Sequence, residues 1–184
     1  MREDLVTPAT GRRLQHAGFQ WAPQPGDWCI ALGGEHYAEA QAGLWLVTSV
    51  APASGELSVV DAAGEWPVAR VAMRDCVWLP SSGKLKMWLR ARGLRVATRE
   101  AEAAGLGVGV RHLCRATPPG SAGGAQPVAD GQGPSEAEAV AAAVLALLEA
   151  AHAHGQPAMG QPATPAASSP AWAPLPRSPG DTGW

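Results

Sequence analysis

Six basic side chains, Lys84, Lys86, Arg90, Arg92, Arg95 and Arg99, crowd into one short stretch and are the strongest chemical signal in the chain. From Arg74 to Arg115 there are nine Lys/Arg against three Asp/Glu; the rest of the chain has five against thirteen. Such a local excess can neutralise nucleic-acid phosphates, with a nearby aromatic such as Trp88 available for stacking. The spacing of Trp88 with Leu85 and Leu89 argues that its ring turns inward, so a solvated basic face is the plainer reading.

Ser81-Ser82-Gly83-Lys84 stands between a strand-like and a helix-like stretch, where a phosphate loop would sit. A Walker A loop requires GxxxxGK[ST], so that backbone N–H groups wrap the phosphate and a hydroxyl holds magnesium. Here Trp78 takes the place of the first glycine and Leu85 that of the hydroxyl residue. The same residues spell S-x-x-K, as in serine acylases, but the companion S-D-N and K-T-G motifs are absent. A capped helix start explains both.

His112 and Cys114 are two apart, so a strand would present both on one face. Zinc needs three or four ligands, and Cys29, Cys76 or His36 would have to be gathered by the fold. Glu35 and His36 form an acid–base pair in a loop, with no third group at supporting spacing. Gly105 to Gly109 is glycine-rich but precedes a strand instead of following one, so it reads as a turn. His152 and His154 diverge on a helix. These patterns assign no catalytic residue, no metal and no cofactor.

The elements that must position the basic set follow from periodicity. Leu85, Trp88 and Leu89 give the stretch 82–92 one apolar face, with a serine cap at Ser81 or Ser82 and a stop at Gly93. Thr7-Pro8 opens a helix running to Ala17. Asp27–Leu32, Leu44–Val50, Glu56–Asp61, Trp66–Arg74 and Cys76–Leu79 read as short strands. Leu94–Thr98 and Gly107–Ala116 follow as strands, with 100–105 as a turn. Ser135 and Glu138 form a capping box for a helix reaching Ala153, whose apolar stripe is Val140, Val144, Leu147, Leu148 and Ala151.

The chain has 184 residues and a net charge of −2, which excludes a globally basic nucleic-acid or membrane binder. Eight Trp against one Phe and one Tyr assign much of the core volume to tryptophan. Three scattered cysteines without CxxC spacing suit buried, reduced thiols and a cytoplasmic protein. No apolar run approaches the ~20 residues of a membrane helix, and the N-terminus lacks a signal-peptide pattern. The PxxP patterns of the tail suit polyproline II, although composition accounts for them.

Residues 25–80, with a PGD-led first strand, a long first loop and tightly connected strands, resemble an SH3-like small barrel. The succession LVTPATGRRLQHAGF, PQPGDWCIA, VWLPSSGKLKMWLRARG and SEAEAVAAAVLALLE resembles small uncharacterised bacterial proteins of phage or prophage type. That resemblance implies the domain layout and assigns no site residue.

The expected fold is α+β: a small antiparallel β barrel or curled sheet flanked by three helices, with a disordered Pro/Ala-rich C-terminal tail. Residues 1–116 form the core, 117–134 a flexible linker, 135–154 a packed helix and 155–184 the tail. The expected role is a non-enzymatic accessory or binding module. Alternatives are a weak nucleic-acid binder acting through the basic helix 82–92, a protein-interaction module with a groove beside loop 33–43, and a small hydrolase-like enzyme gathering Glu35, His36 and His112. Its partner would be nucleic acid or another protein, and no membrane.

Overall fold

The computed structural model describes residues 4–31, 43–51, 53–62, 68–102, 110–120 and 126–153. Helix α1 spans Pro8–His16, and its N-cap Thr7 accepts from the Thr10 N–H. Strands β1 (Trp28–Ala31), β2 (Leu44–Ala51), β3 (Glu56–Asp61), β4 (Ala69–Ala72) and β5 (Cys76–Trp78) follow. Helix α2 (Ser82–Ala91) then leads to β6 (Arg95–Glu102), β7 (Val110–Thr117) and β8 (Ala129–Gly133), and α3 (Glu136–Ala153) ends the described chain.

The first five strands form one antiparallel sheet in the order β4-β3-β2-β1-β5. It is not closed into a barrel, which corrects the barrel reading. A 3-10 turn at Met73–Asp75 redirects the chain so that β5 pairs with β1, leaving β4 and β5 as opposite edges. That turn also cuts short the strand expected to run to Arg74. Cys29, Val47, Leu57, Val59, Val71 and Cys76 form the apolar cluster of this sheet.

The second sheet has the order β6-β7-β8, also antiparallel. Two features differ from the sequence reading. Strand β6 continues to Glu102, through the start of the expected turn. Ala129–Gly133, expected within a flexible linker, pairs along β7 as a strand. Its composition, Ala-Asp-Gly-Gln-Gly, carries no β-branched or aromatic residue; packing, not propensity, makes it a strand.

That packing is visible at its glycines. A Cβ on Gly131 would lie 2.5 Å from Ala143 N, and one on Gly133 would lie 2.6 Å from Glu138 Cβ. Both positions must lack side chains for α3 to lie directly on the sheet. The alanine-rich helix answers with Ala137, Ala139, Ala141 and Ala143, buried together with Val140, Val144, Leu145 and Leu148. Burial is therefore broader than one stripe. The main core joins this helix to α1, α2 and β5 through Leu14, Val77, Leu85 and Leu89.

The described tryptophans do not fill that core. Trp21, Trp28, Trp45, Trp78 and Trp88 are half-buried and pack against the two clusters from their margins. Leucine, valine and alanine occupy the fully buried positions, while the indole N–H groups of Trp45 and Trp78 are buried with no hydrogen-bond partner among the described residues. The three cysteines are buried and free. No described helix is long and apolar enough to cross a membrane. Trp66, the loop with Glu35, His36 and Tyr37, the glycines 105–109, His154 and the tail 155–184 lie outside the described residues.

Candidate functional site: the open face of the second sheet

The helical lysines of the basic set are already engaged. Ser81 caps α2 by accepting from the Lys84 N–H at 3.3 Å. Lys84 Nζ donates to Asp27 Oδ1 at 2.5 Å. Asp27 is almost wholly buried, and its other oxygen accepts from Trp21 Nε1 at 3.0 Å and Gln24 N at 2.9 Å. A buried carboxylate needs this many donors to offset its lost hydration.

Lys86 Nζ lies 2.7 Å from Glu136 Oε1, in the first turn of α3. Thr98 Oγ1 and Ser82 Oγ donate to the same carboxylate at 2.5 and 3.1 Å. Lys86 and Thr98 in particular hold the Glu136 carboxyl down to about 2. Glu138 crosses to α1, accepting from Thr7 N at 2.6 Å and Thr10 Oγ1 at 2.7 Å. The capping box is thus half-formed: the Glu138 N–H donates to Ser135 Oγ, while the carboxylate supports another helix.

Arg92 places its guanidinium 3.4 Å from the Trp88 ring centroid and donates to Trp88 O. Arg90 remains exposed on α2. The phosphate-loop geometry is not formed either. The Ser82 N–H donates to Asp4 O and the Lys84 N–H to Ser81 Oγ, so neither faces a ligand. An acylase arrangement would bring Lys84 Nζ to Ser81, and instead it sits on Asp27.

Arg95 and Arg99 stand elsewhere, on β6. Strand register then adds two arginines that the basic-helix reading left out. Ala97 lies opposite Arg115, Arg99 opposite Leu113, and Ala101 opposite Arg111. Alternation along antiparallel strands places Arg95, Arg99, Arg111 and Arg115 on one face, and all four are exposed. Leu113 and Ala97 form a small apolar floor between them. Asp130 and Gln132 of β8 complete the face, Arg115 Nε contacting Asp130 Oδ1 at 3.2 Å with both side chains solvated. Among the described residues, Arg95, Arg99 and Arg111 form no ion pair.

The opposite face carries Cys114, Ala116, Ala129 and Gly131 beneath α3, all buried. Among the described residues nothing covers the arginine face, which has a shallow hollow of about 460 Å³ reaching from Arg99 past Leu113 to Asp130. The signal that could have found Arg111 and Arg115 was the two-residue alternation of 110–117. That alternation puts His112 and Cys114 on one side of β7 and Arg111, Leu113 and Arg115 on the other. Burial pushes the Cys114 thiol up to about 11. No group of three His, Cys, Asp or Glu side chains suited to a metal occurs among the described residues.

A second concave surface lies between α1 and β5, with a volume of about 470 Å³. Trp21 stacks on Trp78 at 5.9 Å and 6°, and Phe19 tilts against Trp78 at 5.5 Å. Gln15, Gln20 and Arg74 supply its polar rim. Neither a family model, nor a curated protein, nor a solved structure matches this chain.

Proposed function

We propose that the protein is a non-enzymatic binding module that holds nucleic-acid phosphates on the open face of β6, β7 and β8. The observation that carries this reading is the set of four exposed arginines on a sheet face that no described helix covers. The planar, permanently charged guanidinium binds phosphate through paired donors. The basic helix contributes less, because Lys84 and Lys86 are committed to Asp27 and Glu136.

Fluorescence anisotropy of the full chain with labelled DNA and RNA, at low and at physiological salt, tests the reading. Binding should weaken steeply with salt and be lost when Arg95, Arg99, Arg111 and Arg115 are replaced by alanine. Absence of binding at low salt would sink it.

The aromatic groove of Phe19, Trp21 and Trp78 favours a second reading, a protein-interaction module. Under that reading Trp21→Ala, and not the arginine substitutions, abolishes capture of a partner.

A further inference from the structure

The arginines on the open face are ordered as well as clustered. Arg95 belongs to β6 and Arg115 to β7, one step of two residues further along the strand axis. Arg99 returns to β6 after the next such step, and Arg111 to β7 after the one beyond. Each step of two residues advances about 6.7 Å, so the four charges descend a zigzag about 20 Å long at an even pitch. That pitch is comparable with the phosphate-to-phosphate step of an extended single strand. The two rows are only about 4.8 Å apart, the spacing of neighbouring strands. This is a narrow single track, whereas a duplex presents two backbones separated by a groove.

Resting on the phosphate-binding reading, we propose that the ligand is an extended single-stranded polynucleotide lying along the β6–β7 axis, one phosphate to each arginine. Ala97 and Leu113 keep the floor of the track low, so the backbone can approach the guanidinium groups without a steric wall. The described part of the face offers no aromatic ring, so recognition is of the backbone and indifferent to base sequence. Asp130 contacts Arg115 from the β8 side and bounds the track there with a negative charge. The track favours one strand over two.

Anisotropy of the full chain with labelled oligothymidylates of increasing length, and with a duplex of equal phosphate number, tests the proposal. Affinity should climb until about five nucleotides supply four phosphates, then rise only slowly. Log K against log salt should have a slope of about −3, the value for four phosphates on a single strand. Each substitution Arg95→Ala, Arg99→Ala, Arg111→Ala or Arg115→Ala should reduce that slope by about 0.7, while Arg90→Ala leaves it unchanged. Unaltered circular dichroism and melting temperature in these variants show that only the surface has changed.

Tighter binding to the duplex, or affinity that keeps climbing steeply beyond about eight nucleotides, overturns the single-strand track and leaves phosphate binding intact. Binding retained by the fourfold alanine variant, or no binding to any nucleic acid, overturns both.

Discussion

Lys86 of α2 and Glu136 of α3 meet at 2.7 Å, joining two helices that the chain separates by the whole second sheet. Thr98 of β6 shares the same carboxylate, so three elements converge on one charge. The ordinary value of that carboxyl is 4.5, and the fold holds it down to about 2. Folding therefore favours the ionised form. The stabilisation is complete above about pH 5 and disappears as pH falls through about 2. Urea unfolding across this range should give a shallower pH dependence for Glu136→Gln than for the parent. An identical slope would mean that the contact does not contribute.

Asp27 anchors the start of β1 to α2 through Lys84, with Trp21 and Gln24 as further donors. Asp27→Ala should cost about 3 kcal/mol by urea denaturation, because it removes the buried carboxylate on which Lys84, Trp21 and Gln24 converge. Lys84→Met should cost at least as much, since it leaves the Asp27 carboxylate buried without its counter-charge, whereas Lys84 can reach solvent when Asp27 is removed. A much smaller loss for Lys84→Met would show that Trp21 and Gln24 suffice to hold the carboxylate.

Two glycines should respond in opposite directions to alanine. Gly131→Ala forces a Cβ against the α3 backbone and should destabilise by about 3 kcal/mol, the upper range for overpacking. Gly83 lies in the first turn of α2, where an added Cβ meets only Ser81 Oγ at 3.8 Å. Gly83→Ala should stabilise by about 0.5 kcal/mol through helix propensity. Differential scanning calorimetry reads both changes.

The three cysteines should resist a thiol-specific reagent at neutral pH in the native state and react together on denaturation. Burial has raised the Cys114 thiol to about 11, and contact with Cys76 and burial also raise Cys29; the same contact lowers Cys76, which burial alone shields. Rapid reaction of one thiol in the native protein would show local opening of the sheet that carries it.

Local chemistry made much of the architecture legible. Thr7-Pro8 marked α1, Ser81 and the spacing of Leu85 and Leu89 marked α2, and Ser135 marked α3, because caps and helical periodicity involve residues only a turn apart. β-branched and aromatic content likewise announced β2, and the alternation along 66–74 announced β4. Strand β8 was hidden, because its glycines are selected by how close α3 approaches and not by any preference of their own.

The candidate site divides in the same way. A local excess of positive charge was written in the composition from Arg74 to Arg115, but its useful members were not. Lys84 and Lys86 were cancelled by Asp27 and Glu136, 57 and 50 positions away in the chain. Arg111 and Arg115 joined Arg95 and Arg99 only through the pairing of β6 with β7. Periodicity tells which side of an element a residue takes. Which charges survive, and which stand together, depends on contacts between distant segments, and those exist only once the chain has folded.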